Sequence, residues 1–451
     1  MTSPAPEQST LPIDTLVLPR WLLPMIESGP ALLEQHGLAL AGNHIAAIDD
    51  AIRLQSLYPE ARVLRLDHHA LLPGLVNAHG HSPMALLRGF ADDLPLHPWL
   101  EQKIWPTEAR WLSENYVTAG ARLAIAEMLL SGTTCFADMY FFPEQIARVA
   151  EECGIRAQLA SPVFDFATVW AGSAEECIAK GTRLLDATRD SELVSVSFGP
   201  HAPYTVSDES LRTIAMLAEE LDTGIHIHLH ENAREIQDAL QQSGMRPLTR
   251  LKQLELLGPR LQCVHMTQLL DSEIDLLAQH GVHVVHCPAS NLKLASGFCR
   301  TADLLAAGVN VAIGTDGCAS NNGLDLFREL RLATLVAKGH SGDAAVLPAL
   351  QALRMATLHG ARVLGMDDHI GTLEAGKLAD LIAVDLEHAN TQPVYDPAST
   401  LVYSANSRQV SHVWVNGQLL VEQGRLTRLH LPPLLQRAQQ WAARIQESRQ
   451  P

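Results

Sequence analysis

Between residues 71 and 316 the sequence repeats one unit eight times: a short apolar run, then a stretch with helical spacing. The runs cover 71–78, 133–139, 155–163, 193–199, 224–229, 261–266, 281–285 and 309–314. Helix-like stretches between them include 117–130, 144–152, 174–188, 208–222, 271–279 and 301–306. Ser207 and Asp271 are placed to cap helix starts, and Gly132, Gly154, Gly224, Gly281 and Gly308 to end helices. Eight strand–helix repeats in ~250 residues predict an α/β fold, a (β/α)8 TIM barrel. The rival is an open doubly wound sheet, but no G-x-G-x-x-G fingerprint follows the first run.

The remaining sequence reads differently. Residues 1–10 have the composition of a disordered tail. Residues 36–48 alternate apolar and polar side chains around Gly42-Asn43, and residues 412–421 do so around Asn416-Gly417, both hairpin signals. Helical spacing over 324–338 and 349–364 gives way to a turn-rich, then strand-like stretch over 371–385, and 434–447 closes the chain as a helix beyond Pro432-Pro433. β segments at both ends predict a small β-sandwich domain built from both termini: 1–70 and 371–451 around a catalytic barrel of 71–370. With 451 residues, 47 % of them apolar, the chain can fill two such cores.

The charge excludes some partners. Lys plus Arg number 33 and Asp plus Glu 50, a net charge of −17, whereas nucleic acids and anionic membranes need a basic surface. Seven widely spaced cysteines without a Cys-x-x-Cys fit a reduced, cytoplasmic protein rather than a disulfide framework. Residues 1–10 do not read as a signal peptide, and no apolar run approaches the ~20 residues of a membrane span.

Histidine is abundant, 21 residues against 9 Phe and 6 Tyr, and its placement carries the functional reading. In a TIM barrel the carboxyl ends of the strands form the active site. The first run ends in His79-Gly80-His81, the fourth in His201, the sixth in His265, the seventh in His286, and the eighth in Asp316. The fifth carries His226, His228 and His230 on one face, and spacing alone does not say which of the three reaches the centre. His79 and His81 point the same way on a strand and can grip one ion. A lone buried His is most often a satisfied core residue, but imidazoles and a carboxylate gathered at matching strand ends suit Zn2+, with Fe2+ and Mn2+ as alternatives. His97, His280, His340, His359, His369, His388 and His430 fall elsewhere and read as surface or structural.

His79-Gly80-His81, His228-Leu229-His230-Glu231, Val264-His265, Gly314-Thr315-Asp316-Gly317 and the tail from Gly371 to Asp380 together resemble the amidohydrolase superfamily, in its branch of purine deaminases and triazine hydrolases. The context around residues 77–108 is most similar to the 5′-methylthioadenosine/S-adenosylhomocysteine deaminase family. The resemblance implies that His79, His81, His228 and Asp316 hold one divalent metal per subunit, that Glu231 shuttles protons, and that His265 orients or deprotonates water. It also implies that Glu108 accepts hydrogen bonds from ribose hydroxyls and that His201 contacts the substrate. Beside that role, Glu108 could simply suit a helix start after Pro106. The resemblance further implies a homo-oligomer and a small nucleoside as partner, beside the absence of nucleic-acid and membrane partners expected from the charge.

Two departures refine the expectation. Arginines expected after the second and third strands, to meet the carboxylate of S-adenosylhomocysteine, are missing: residues 161–172 contain none, and the nearest are Arg148 and Arg156, with Arg88 as another source. This favours methylthioadenosine or adenosine. The fourth run lacks the lysine that bridges two metals in dinuclear members, implying a mononuclear site. The expected activity is hydrolytic deamination at purine C6, giving the inosine analogue and ammonia. The rivals are deamination of a free base such as guanine or 8-oxoguanine, triazine hydrolysis, and a non-catalytic scaffold.

Overall fold

The computed structural model describes residues 12–447, so the tail expected over 1–10 lies outside the described residues. Eight parallel strands follow one another around a barrel: Leu75–Asn77, Thr133–Asp138, Arg156–Val163, Val194–Pro200, Ile225–Leu229, Leu261–His265, His283–His286 and Val311–Ile313, here strands 1 to 8. Ala78 N–H donates to Ile313 O (2.9 Å) and Asp316 N–H to His79 O (3.0 Å), which draws the eighth strand against the first. Asn77 adds a two-way pair with Thr315, through its side-chain N–H (2.8 Å) and carbonyl (2.9 Å). The barrel interior is apolar where no chemistry is needed: Val76, Ala78, Ala137, Val264, Val285 and Ala312 pack together, continued by Ala361, Val363 and Leu364 of the helix Leu358–Val363 and its end.

Strands from both termini form one mixed nine-stranded sheet, joined where Arg62–Pro73 pairs antiparallel with Leu381–Asp385. The sheet curls so that its distant strands meet: Ala379 N–H donates to Asn43 O (2.8 Å), and Asn43 reaches Asn416 (3.3 Å). Val17, Leu38 and Leu40 of one half share a core with Leu381, Ala383 and Trp414 of the other, the sandwich arrangement expected from the two hairpins. The buried Arg156–Asp380 pair (3.0 and 3.1 Å) ties this sheet to the start of strand 3.

Three local expectations change. The run over 71–78 is two strands, because Gly74 separates the sheet strand Arg62–Pro73 from strand 1. The cap at the helix Asp271–His280 is Leu270, whose N–H donates to Glu273, so Asp271 is already inside the first turn. The last helix runs Leu431–Glu447, with Pro432 and Pro433 inside its first turn, where no N–H is required.

Candidate active site and metal centre

Each histidine at the strand ends is oriented through its Nδ1. His81 Nδ1–H donates to Met139 O (2.6 Å), His228 Nδ1–H to His201 O (2.8 Å), and His265 Nδ1–H to Asn291 Oδ1 (2.8 Å). A neutral ring that donates through Nδ1 leaves its Nε2 lone pair free for a metal. The Nε2 atoms of His79 and His81 lie 3.5 and 3.2 Å from Asp316 Oδ1. Asp316 is aimed by Ser290, which donates to Oδ2 (2.6 Å), and by the Gly317 N–H on Oδ1 (2.7 Å).

Two triads of donor atoms converge, His79 with His81 and Asp316, and His79 with His228 and His265. They share His79, whose Nε2 is fully buried and has no hydrogen-bond partner. An orphaned buried acceptor among imidazoles and a carboxylate fits a divalent ion. The close approach also explains Gly314: a Cβ there would sit 2.9 Å from the His79 Cβ and backbone N.

The chain is turned sharply at these positions. His230, His265, Met266 and Asp316 all have left-handed backbone, with φ from 50° to 76°. Such strain in non-glycine residues costs about 1–3 kcal/mol each and persists where surrounding structure enforces it. At strand 5 the enforcement is visible: Glu235 accepts the N–H groups of His230 (3.0 Å) and Glu231 (2.7 Å), fixing the turn that presents Glu231.

The structure sorts the three strand-5 histidines by depth. His228 lines the cavity beside the converging donor atoms of His79 and His265. His226 lies behind it, bonded to His79 (2.8 Å). His230 turns away, accepting the Leu248 N–H (3.1 Å) beside Glu273.

A cavity of about 430 Å³ opens onto this cluster. His81, His228, His265, Asp316, Glu231, His201 and Glu108 all line it, so every residue to which the resemblance gave a role is there except His79, which is completely buried behind. Apart from Thr168 the rest of the wall is apolar or aromatic, including Trp99, Phe141, Phe164 and Leu294, and among the described residues no Arg or Lys contributes. Arg156 is committed to Asp380, Arg148 pairs with Glu152 on the exposed face of its helix, and Arg88 pairs with Glu127 and donates to Asn322 O (2.6 Å).

Burial sets the protonation of Glu231, Glu108 and His201. It raises Glu231 to about 8, helped by the negative charge of Asp316, so Glu231 is a proton donor near neutrality. It raises Glu108 to about 7, partly offset by the hydrogen bond from Tyr140. It lowers His201 to about 3, leaving a neutral ring stacked on Phe164 with centroids 4.8 Å apart. Burial works against the charged form of Asp316 too, but contacts with His79 and His81 outweigh it and hold the carboxyl well below its usual range.

Glu108 has no helix-capping role: Trp105–Trp111 continues directly from the helical turn Leu100–Ile104, leaving no free helix start at Pro106. Its Oε1 instead accepts the Tyr140 hydroxyl (2.5 Å). Sequence reasoning missed Tyr140, which lies two residues past the end of strand 2.

The amidohydrolase family profile matches residues 70–420. The 5-methylthioadenosine/S-adenosylhomocysteine deaminase of Teredinibacter turnerae is 48 % identical over 437 residues, covering 97 % of this chain and 99 % of that protein. The 5′-deoxyadenosine deaminase of Methanothermobacter thermautotrophicus is 40 % identical over 425 residues, covering 93 % and 98 %. The crystal structure of an adenosine deaminase from Xanthomonas campestris with bound zinc superposes with a TM-score of 0.95 at 47 % identity, covering 97 % of this chain and 99 % of that one. Among the described residues no helix is long and apolar enough to cross a membrane. With a family profile spanning most of the chain and relatives matched nearly end to end, this protein belongs to the amidohydrolase family.

Proposed function

We propose that this protein is a zinc-dependent deaminase of adenosine-type nucleosides, acting at purine C6 to give the inosine analogue and ammonia. One observation carries the reading: a single cavity is lined both by the His/Asp cluster with a protonated Glu231 and by Glu108, a carboxylate suited to a ribose diol. His79, His81, His228 and Asp316 would hold one ion, which when bound lowers the pKa of water and polarises the reacting group.

The protein's own groups supply the proton traffic. His265, its Nε2 3.8 Å from Glu231 Oε1, and Asp316 together position the attacking water and take up its proton. Glu231 donates to ring N1, which makes C6 electrophilic; its carboxylate then carries the proton of the new C6 hydroxyl to the departing amino group, and the proton first taken from water restores Glu231. Water and the aminopurine thus leave as the oxopurine and ammonia. Glu108 fixes the ribose, and the neutral His201 ring contacts the substrate without adding charge to the cavity. The wall without cations favours an apolar 5′ substituent, as in 5′-methylthioadenosine, over the charged amino-acid tail of S-adenosylhomocysteine.

An ammonia-release screen over methylthioadenosine, adenosine, S-adenosylhomocysteine, guanine and 8-oxoguanine tests this reading. Ammonia from the first two is expected; release only from the free bases would overturn it.

A further inference from the structure

Behind the metal cluster runs a buried line of hydrogen bonds that the reaction itself does not use. Gln158 on strand 3, Gln262 on strand 6 and His226 on strand 5 are each at most 6 % exposed. Gln158 donates from Nε2 to Leu364 O (3.0 Å). Gln262 donates from Nε2 to Val363 O (2.7 Å) and to Gln158 Oε1 (3.1 Å). His226 Nδ1 meets Gln262 Oε1 (2.7 Å), and His226 Nε2 meets His79 Nδ1 (2.8 Å).

The proton positions follow from chemistry. Val363 and Leu364 end the helix Leu358–Val363, and their carbonyl oxygens only accept. The amide nitrogens of Gln158 and Gln262 must therefore face them, which turns Gln262 Oε1 toward His226. An oxygen there requires His226 to donate from Nδ1, so the His226 Nε2 is a bare acceptor. That acceptor requires His79 to carry its proton on Nδ1, which exposes the His79 Nε2 lone pair to the metal cluster. No ring or amide in the line can reverse without setting two donors or two acceptors face to face in a buried site.

We propose that Gln262 and His226 are positioning residues that lock the metal-binding tautomer of His79, with the end of the helix Leu358–Val363 as the fixed reference. The other histidines of the cluster take their tautomer directly from an oxygen; His79 alone among them faces a second imidazole, which could donate as readily as accept. The proposal rests on His79 as a metal ligand but not on the identity of the substrate.

The test measures zinc affinity of the zinc-loaded protein by competition with a chelating dye, together with the 15N signals of His226 in histidine-labelled protein. In the wild type, His226 should be protonated at Nδ1 and bare at Nε2. Gln262→Leu and His226→Phe, each checked by circular dichroism, should bind zinc about ten- to a hundredfold more weakly. In Gln262→Leu the His226 signals should shift toward the Nε2–H form. A wild-type His226 protonated at Nε2, or zinc affinity within twofold of wild type in folded Gln262→Leu, would overturn the proposal. A His79→Ala variant with unchanged zinc affinity would overturn the ligand assignment on which it rests. The wild-type spectrum needs no variant to fold, and neither readout depends on turnover.

Discussion

Tyr140 donates its hydroxyl to Glu108 Oε1 at 2.5 Å, inside a cavity where burial has already lifted Glu108 to about 7. The bond favours the carboxylate, the form that the proposed contact with two ribose hydroxyls requires. Because the folded-state value lies above the ordinary 4.5, the carboxylate is present above about pH 7 and lost as pH falls through it. KM for a nucleoside should therefore rise below pH 7, while KM for a free base, which has no diol, should not follow. A pH series of steady-state kinetics checks both.

Removing the donor should move that limb. Tyr140→Phe is expected to shift the KM rise to higher pH and to weaken nucleoside binding about tenfold at pH 7, the scale of one hydrogen bond to a charged group. An unmoved pH profile would show that Tyr140 does not tune Glu108.

Glu231 should matter to chemistry rather than to metal retention. Glu231→Gln keeps the shape and loses the proton, so kcat should fall by about 10²–10⁴-fold with zinc content unchanged by elemental analysis. Normal turnover in a zinc-loaded Glu231→Gln protein would contradict the role.

The Arg156–Asp380 pair is buried on both sides, at 1 % exposure each. Asp380 also accepts the Asn416 N–H (2.8 Å). Asp380→Ala should strand a buried guanidinium and destabilise the protein by about 3–5 kcal/mol. Denaturant melts measure this directly; a change below about 1 kcal/mol would show that the pair is dispensable.

The apolar wall sets a selectivity. The amino-acid tail of S-adenosylhomocysteine meets no cation in the cavity, so its kcat/KM should trail that of methylthioadenosine by at least about tenfold, the equivalent of ~1.4 kcal/mol. Equal values for the two nucleosides would refute this.

Much of the site was readable because strand geometry is periodic. His79 and His81 are two apart on one strand end, and the first, fifth, sixth and eighth strands place His or Asp at the same level. Periodicity could not rank His226, His228 and His230, since it gives a shared face and not a depth; the left-handed turn at His230 decides that His230 leaves the site. Tyr140 with Glu108, and Gln262 with His226, are invisible in sequence because each pair joins elements far apart in the chain: His226 and Gln262 are register partners on the neighbouring strands 5 and 6, and Glu108 and Tyr140 follow the neighbouring strands 1 and 2. The division of 71–78 at Gly74 was equally hidden, because both halves are apolar and differ only in which sheet they join.

The central claim is C6 deamination of a nucleoside, and the ultraviolet spectrum of zinc-loaded protein with 5′-methylthioadenosine tests it most directly. The adenine chromophore should convert to the hypoxanthine chromophore with one ammonia released per product. An unchanged adenine spectrum at full zinc occupancy, with a free base or a triazine turned over under the same conditions, would contradict it.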